Sequence, residues 1–442
     1  MREVHAARAQ PFGVAVSQMC FEFREGNFAG GTRNGWMSPR RYWCVSFSLV
    51  ILMVMLSGCA SPPRAPLTAE AQKTAKIDGF SKIRFWGDGS ADEPNSGTPV
   101  PNPPIRSGRI SYLALSGGGS GGAFGAGILA GWTVAGTRPT FDVVSGVSTG
   151  ALTAPFAFLG PTYDPALREV YTSGIAETLV SPRPIMGLAG SGLWDPAPLR
   201  RLVEHYVTND MLQQIAAEHS KGRRLLVVTT NLDAQRTVIW DMGEIAAQGH
   251  KQALTLFRNV LIASASIPAV FPPVMIDVTV EGKRFQEMHS DGGATTQLFT
   301  APETLLASTR VNPHIKSKRI DLYIILNNML DPEFEVVKSN TLAIAGRAYS
   351  TLIKTHARSA VNAAYTLTQR TGFGFNLTYI DQVVPYSISD PFNTQYMRRL
   401  FTIGYEKAQS VDFWNKSPPA VSSRTYALQG QSSLGGFRRD NR

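Results

Sequence analysis

The sequence predicts an α/β domain in which helices cover both faces of a largely parallel sheet, and three observations carry that expectation. Ile110–Leu115 reads as an apolar strand, followed by the glycine-rich run 116–122 and an apolar helical stretch over 123–134. The segment 141–150, FDVVSGVSTG, repeats that order: a short apolar run, a tight glycine turn, the opening of a helix. Beyond it, apolar runs over 223–230, 237–240 and 320–326 alternate with helical periodicity over 195–205, 210–219, 252–263 and 341–369. Strand–turn–helix repeats of this kind close through crossovers, which set the strands parallel and lay helices on the two faces.

The amino-terminal part reads differently. From Met37 the chain runs MSPRRYWCVSFSLVILMVMLSGCAS: a basic pair Arg40–Arg41, an uncharged apolar run to Leu56, then Leu-Ser-Gly-Cys ending at Cys59. A basic head, a short apolar run and small residues before a cut are the parts of a secretory signal, and the run is shorter than the ~20 residues that span a bilayer. The segment resembles a bacterial lipobox, which implies cleavage before Cys59 and lipid on that cysteine; Ala60 rather than Asp follows, which by the same resemblance implies the outer membrane. Residues 37–58 are thus expected to be a lipoprotein signal peptide, and 1–36 a misassigned extension upstream of a start at Met37. Prolines interrupt 59–108 repeatedly, so that stretch is expected to be a flexible tether of roughly 40 Å average span, with Ile83, Phe85 and Trp86 apolar enough to dock.

With 442 residues, 43% hydrophobic and 17% charged, the chain suffices for one large core or two smaller ones. The net charge of +10 is scattered without a long Lys/Arg block. A solvated basic surface is therefore expected rather than nucleic-acid binding, and weak attraction to an anionic membrane is compatible with it. All three cysteines, Cys20, Cys44 and Cys59, precede residue 61, so the rest of the chain forms neither an internal disulfide nor a thiolate metal site. No His-Glu-x-x-His occurs, and neither a metal nor a cofactor is expected.

Glycines between a strand and a helix turn backbone N–H groups into one space beside the positive end of a helix dipole. Such a loop suits either a phosphate cradle or an oxyanion hole. A dinucleotide site would want an acidic residue at the end of the next strand. Here that strand leads instead into Gly146-Val147-Ser148-Thr149-Gly150, the pattern of a nucleophile elbow, so the oxyanion hole is the better reading and Ser148 the candidate nucleophile. Alone, Gly-x-Ser-x-Gly is weak in a chain with 40 glycines.

SGGGSGGAFGAGIL followed by DVVSGVSTGAL resembles the patatin-like phospholipase family, in which a Gly-Gly-Gly-x-Arg-Gly loop precedes the elbow. Asp291-Gly292-Gly293 supplies the family's third block, and ASASIPAVFPP over 263–273 is similar to a fourth. The resemblance runs from about residue 109 to 409. It implies a three-layer patatin-like domain over 109–412, with a loose tail over 413–442. It further implies a Ser148/Asp291 dyad, with Asp291 as the base and Gly118, Gly119 and Ser120 as oxyanion-hole candidates. One departure matters: Gly121 stands where the loop usually has Arg.

An α/β-hydrolase triad would need a histidine after Asp291, and neither His314 nor His356 follows a clear strand. His289 is the sharper alternative base, against a buried structural histidine as the ordinary reading. Asp142 and the run Asn231, Asp233, Gln235 read as loop and turn residues. In the long stretch 341–369, Leu342, Ala345, Ala348, Leu352, His356, Ala360 and Ala363 recur at helical spacing and predict a helix laid over the sheet. The expected function is a lipid-anchored serine acyl hydrolase of the bacterial cell envelope acting on phospholipid or lysophospholipid. The alternatives are a short-chain carboxylesterase and a catalytically inactive lipid-binding lipoprotein, the latter motivated by Gly121.

Overall fold

The computed structural model describes residues 64–89, 108–182, 191–307, 319–334, 336–386 and 390–419. The signal peptide, Cys59 and the tail beyond 419 lie outside the described residues. Within Ser61–Arg442, one compact unit, the described strands are β1 (Arg84–Trp86), β2 (Ile110–Leu115), β3 (Val143–Val147), β4 (Arg224–Asn231), β5 (Arg236–Asp241), β6 (Val274–Val280), β7 (Lys283–Asp291), β8 (Ile320–Met329) and β9 (Gly374–Ile380). Helices of nine residues or more are α1 (Gly122–Val134), α2 (Thr149–Leu159), α3 (Asp164–Thr172), α4 (Ala197–Tyr206), α5 (Asn209–Ser220), α6 (Ala253–Ser264), α7 (Thr341–Thr371) and α8 (Thr394–Lys407).

The sheet order is β1-β5-β4-β3-β2-β8-β9. The run β4-β3-β2-β8-β9 is parallel, and β1, β5 and the β6–β7 hairpin are antiparallel to their neighbours. Side-chain parity sorts the two faces. On β2, Leu113 and Leu115 join the larger core under α1, α2, α4, α5, α6 and α8, whereas Ala114 joins Leu322, Ile324, Leu326, Phe375 and Leu377 under α7. Helices on both faces of a mostly parallel sheet is the fold class the sequence predicts.

Three elements differ from expectation. The start of the expected loose tail is packed on the domain, because Phe413 and Trp414 join the aromatic cluster around Trp132 and Asn415 pairs with Leu377 of β9. Residues 64–89 were expected within the flexible tether with only the island 83–86 docked; that island does dock, β1 laying Phe85 beside Ile239, but the stretch before it is built onto the domain as well, since Lys76 bridges Thr279, Pro66 bridges Gln286 and Arg64 ion-pairs with Asp233. The cause is local. The edge of β5 offers a free ladder, and Ala75, Ile83 and Phe85 are apolar and become buried. The third is α7. Its buried positions are Ala357, Val361, Ala364, Leu367, Thr368 and Thr371, all in the carboxyl-terminal half. Ala345, Ala348, Leu352 and His356, four members of the predicted apolar stripe, are exposed. Small residues at helical spacing set a period, but the sheet beneath reaches only far enough to cover the second half.

Candidate active site

Ser148 sits between β3 and α2 with φ +53° and ψ −123°, a left-handed conformation that a serine adopts only when its surroundings impose it. The glycines on either side make the turn sterically possible. A Cβ on Gly146 would stand 2.4 Å from the Gly150 carbonyl oxygen, and one on Gly150 would stand 2.5 Å from that of Leu115. The Ser148 N–H donates to Ser264 Oγ at 3.0 Å, and that hydroxyl donates to the Val228 carbonyl at 2.6 Å. Ser264 lies in the ASASIP block and thereby fastens the elbow to β4. Replacing Ser264 with Ala leaves a buried donor unpaired. It is expected to lower stability by about 1–3 kcal/mol and catalytic efficiency by about tenfold, read by urea unfolding and by kcat/KM on a soluble ester.

Asp291 ends β7, far from Ser148 in sequence, and β4 brings the two together. Its Val228 pairs with Val147, the residue before the serine, and the next residue, Thr229, pairs with Asp291. The Ser148 hydroxyl donates to Asp291 Oδ2 at 2.6 Å. The other carboxylate oxygen accepts the Gly293 N–H at 2.6 Å. The main chain is pinned on both sides, by Asp291 N–H to the Ser266 carbonyl at 2.9 Å and by Thr230 Oγ1 to the Asp291 carbonyl at 2.9 Å. Burial disfavours the charged form and pushes the Asp291 carboxyl up to about 7, with the Ser148 and Gly293 hydrogen bonds opposing. A carboxylate so placed is a base poised for neutral pH.

The glycine loop lies directly over the serine, since a Cβ on Gly117 would stand 3.4 Å from Ser148 Cβ. The loop turns at Gly118 and Gly119, φ +154° and +55°, and enters a short 3-10 turn, Gly119–Gly121, before α1. What holds it is β8, through two residues that sequence reasoning missed. Asn327 donates its N–H to Ser116 Oγ and its side-chain amide to the Ser116 carbonyl, both at 2.8 Å, and accepts the Gly125 N–H at 3.1 Å. Asn328 donates to the Gly117 carbonyl at 3.0 Å. A signal existed: a polar pair directly after the five apolar residues 322–326, at the carboxyl end of a parallel strand, where sites gather. Gly121 is likewise explained, because a Cβ there would stand 2.1 Å from the Asn327 carbonyl oxygen. In this chain β8 occupies the space that a side chain at position 121 would need.

His289 shares a face of β7 with Asp291 but is committed elsewhere. Trp240 Nε1 donates to Thr229 Oγ1 at 2.8 Å, the Thr229 hydroxyl contacts His289 Nδ1 at 2.9 Å, and His289 Nε2 contacts Glu287 at 3.0 Å. Glu287 in turn is paired with Arg84 of β1. Burial lowers the His289 imidazole, and Arg84 holds the Glu287 carboxylate down to about 2 against the opposing effect of burial. Burial favours the neutral ring, and with the Glu287 carboxylate accepting from Nε2–H, Nδ1 is left to accept the Thr229 hydroxyl proton. Both ring nitrogens are used, and the sequence alternative of His289 as base to Ser148 does not hold. Asp142 is a loop residue as expected and accepts the Ser111 N–H, whereas Asn231, expected in the loop, is the last residue of β4, and its side chain accepts the Asp233 and Ala234 N–H groups of the turn that follows.

Cys59, the expected lipidation site, lies outside the described residues. Among those described, no cluster of His, Cys, Asp or Glu could hold a metal ion, and no helix is long and apolar enough to cross a membrane.

Comparison with solved structures returns VipD from Legionella pneumophila, 13% identical over 68% of this chain and 66% of that one, with a TM-score of 0.32. It also returns the type III effector protein ExoU, 12% identical over 71% and 54%, with a TM-score of 0.23. The chain thus spans under two thirds of the length of each. No curated protein sequence matches. Residues 113–301, which carry the glycine loop, the Ser148 elbow and the Asp291 block, match the patatin-like phospholipase family, the family that the sequence resembles.

Proposed function

We propose that this protein is a serine acyl hydrolase that cleaves fatty-acyl esters of membrane phospholipid or lysophospholipid through a Ser148–Asp291 dyad. The observation that carries this reading is the 2.6 Å hydrogen bond from Ser148 to a buried carboxylate whose proton affinity suits neutral pH. Asp291 Oδ2 accepts the hydroxyl proton as Ser148 Oγ attacks the ester carbonyl. The N–H groups of Gly118, Gly119 and Ser120 take up the charge developing on the carbonyl oxygen. The proton then passes from Asp291 to the departing alcohol, leaving an acyl-serine. A water molecule, deprotonated by the same carboxylate, releases the fatty acid and restores Ser148. The reading extends to location: lipid on Cys59 would hold the domain at the cell envelope, at the outer membrane by the residue that follows the cysteine.

Fluorophosphonate probes should label the parent at Ser148 and leave Ser148→Ala unlabelled. Lipid mass spectrometry of treated phospholipid vesicles should find fatty-acid release from the parent and a loss on the order of 10⁴-fold or more in Ser148→Ala. Equal release by the two proteins rejects the mechanism. Turnover of soluble short-chain esters with none of vesicles or lysophospholipid would favour the carboxylesterase reading.

A further inference from the structure

Gln297 is a buried polar side chain at the candidate site that the dyad chemistry leaves unused. It follows the 3-10 turn Gly292–Ala294 and is only 3% exposed. Two glycines, one in the loop and one after the base, leave room for it. A Cβ on Gly117 would stand 2.9 Å from Gln297 Oε1 and 3.4 Å from Ser148 Cβ. A Cβ on Gly293 would stand 2.7 Å from Gln297 Nε2 and 2.9 Å from Asp291 Oδ1. One carboxamide thus packs against the loop beside the nucleophile and against the turn beside the base.

The residue is also bonded to both pieces. Its main-chain carbonyl accepts the Gly117 N–H at 3.1 Å, and its side-chain Nε2 donates to the Gly293 carbonyl at 2.9 Å. Gly293 is the residue whose N–H bonds Asp291 Oδ1, and Gly117 is the residue whose carbonyl Asn328 holds. The sheet fixes the segment in turn. Leu298 and Phe299, directly after Gln297, are buried, and the Phe299 carbonyl accepts the Tyr112 hydroxyl of β2 at 3.0 Å and the Ser145 hydroxyl of β3 at 2.6 Å. Burying a carboxamide is unfavourable unless hydrogen bonds compensate. Here the compensating bonds tie together the two backbone pieces whose spacing acyl transfer depends on.

We propose that Gln297 is a positioning residue for acyl transfer, a neutral strut of fixed length that sets the separation between the glycine loop, which receives the oxyanion, and the Asp291 turn, which receives the serine proton. It acts through Gly117 and Gly293, not on the substrate itself. Neutrality matters as much as length, because a carboxylate in its place would face Asp291 and oppose its ionisation. The inference rests on the acyl-hydrolase reading, and the experiment separates failure of the one from failure of the other.

The test compares the full-length parent with Gln297→Met, which keeps the length and loses the amide, and with Gln297→Glu, which keeps the shape and adds a charge. Each is assayed on a soluble short-chain ester, with competent enzyme counted by fluorophosphonate titration at Ser148. Gln297→Met is expected to lower kcat by on the order of tenfold or more with KM within about twofold, and to slow fluorophosphonate labelling in proportion. In Gln297→Glu the acid limb of kcat/KM is expected to move up by about one pH unit from its place near 7 in the parent. Tyr349 of α7, pushed up to about 12 by burial and by the Asp291 charge, stays neutral over this range, so the shift reports on position 297. A kcat for Gln297→Met within about twofold of the parent overturns the inference, as does an unshifted limb in Gln297→Glu; Gln297 then only satisfies a turn carbonyl. If Gln297→Met yields no folded protein, the isosteric Gln297→Glu decides alone. A parent that hydrolyses no ester and takes no fluorophosphonate rejects the proposed function and the role of Gln297 with it, whereas an active parent with unchanged variants rejects only the role of Gln297.

Discussion

Asp291→Asn is expected to lower ester hydrolysis by on the order of 10³-fold or more and, above neutral pH, to stabilise the fold. The two effects share one cause. Asparagine keeps the shape, and its carbonyl oxygen still accepts the Gly293 N–H that now bonds Oδ1 at 2.6 Å. It cannot take the Ser148 proton. In the parent the carboxyl is raised from 3.8 to about 7 by burial. Below pH 3.8 folded and unfolded chains are both protonated and the group contributes nothing. Between 3.8 and 7 the unfolded chain releases its proton while the folded chain keeps it, so stability falls as pH rises. Above 7 both are charged, and the full burial cost, on the order of 4 kcal/mol, is present. Urea unfolding from about pH 4 to 8 should therefore show a decline in the parent that Asp291→Asn lacks. Over the same range kcat/KM of the parent should climb with an apparent pKa near 7. A variant that keeps wild-type kcat/KM, or a parent whose activity is flat from about pH 5 to 8, contradicts the assignment of Asp291.

The second large effect runs against family resemblance. Gly121→Arg restores the residue that the loop usually carries, yet it is expected to reduce activity by on the order of 10²-fold and to lower the melting temperature. Position 121 faces the main chain of β8, with the Asn327 carbonyl 2.1 Å from where a Cβ would sit. A backbone carbonyl does not rotate aside, so the loop must back away from Ser148, and an ångström of displacement at reacting groups costs about that factor. Asn327→Ala, which removes the amide holding Ser116 and the acceptor for Gly125, should produce a similar loss from the other side of the contact. A Gly121→Arg variant as active as the parent would show that the loop is not seated on β8.

Much of this was legible in the residues. Apolar parity in β2, β3 and β8 and the glycine punctuation between strand and helix named a parallel sheet, and Ser148 and Asp291 were legible as blocks. What the sequence withheld was mostly non-local. The partnership of Val147 and Asp291 with consecutive residues of β4 is a matter of register, which no local window contains. The role of Ser264 depends on an amide in the elbow that only the folded chain presents. The β6–β7 hairpin carries little apolar periodicity on its exposed edge, although its turn signal, Glu281-Gly282 with φ +50° and +77°, was present. For α7 the period was right and the extent of cover was not, because Ala345 and Ala348 look alike whether they face a sheet or solvent.

The folding of residues 64–89 onto the domain changes how any lipid on Cys59 would hold it. The first described contacts of this stretch are those of Arg64 with Asp233 and of Pro66 with Gln286. Only about five peptide units separate Arg64 from Cys59, a reach of at most about 18 Å. An anchored domain on so short a leash cannot sweep a wide disc of membrane or turn freely above it. It would ride close to the lipid, and diffusion within the plane of the bilayer, not swinging of the chain, would set how many lipids it meets.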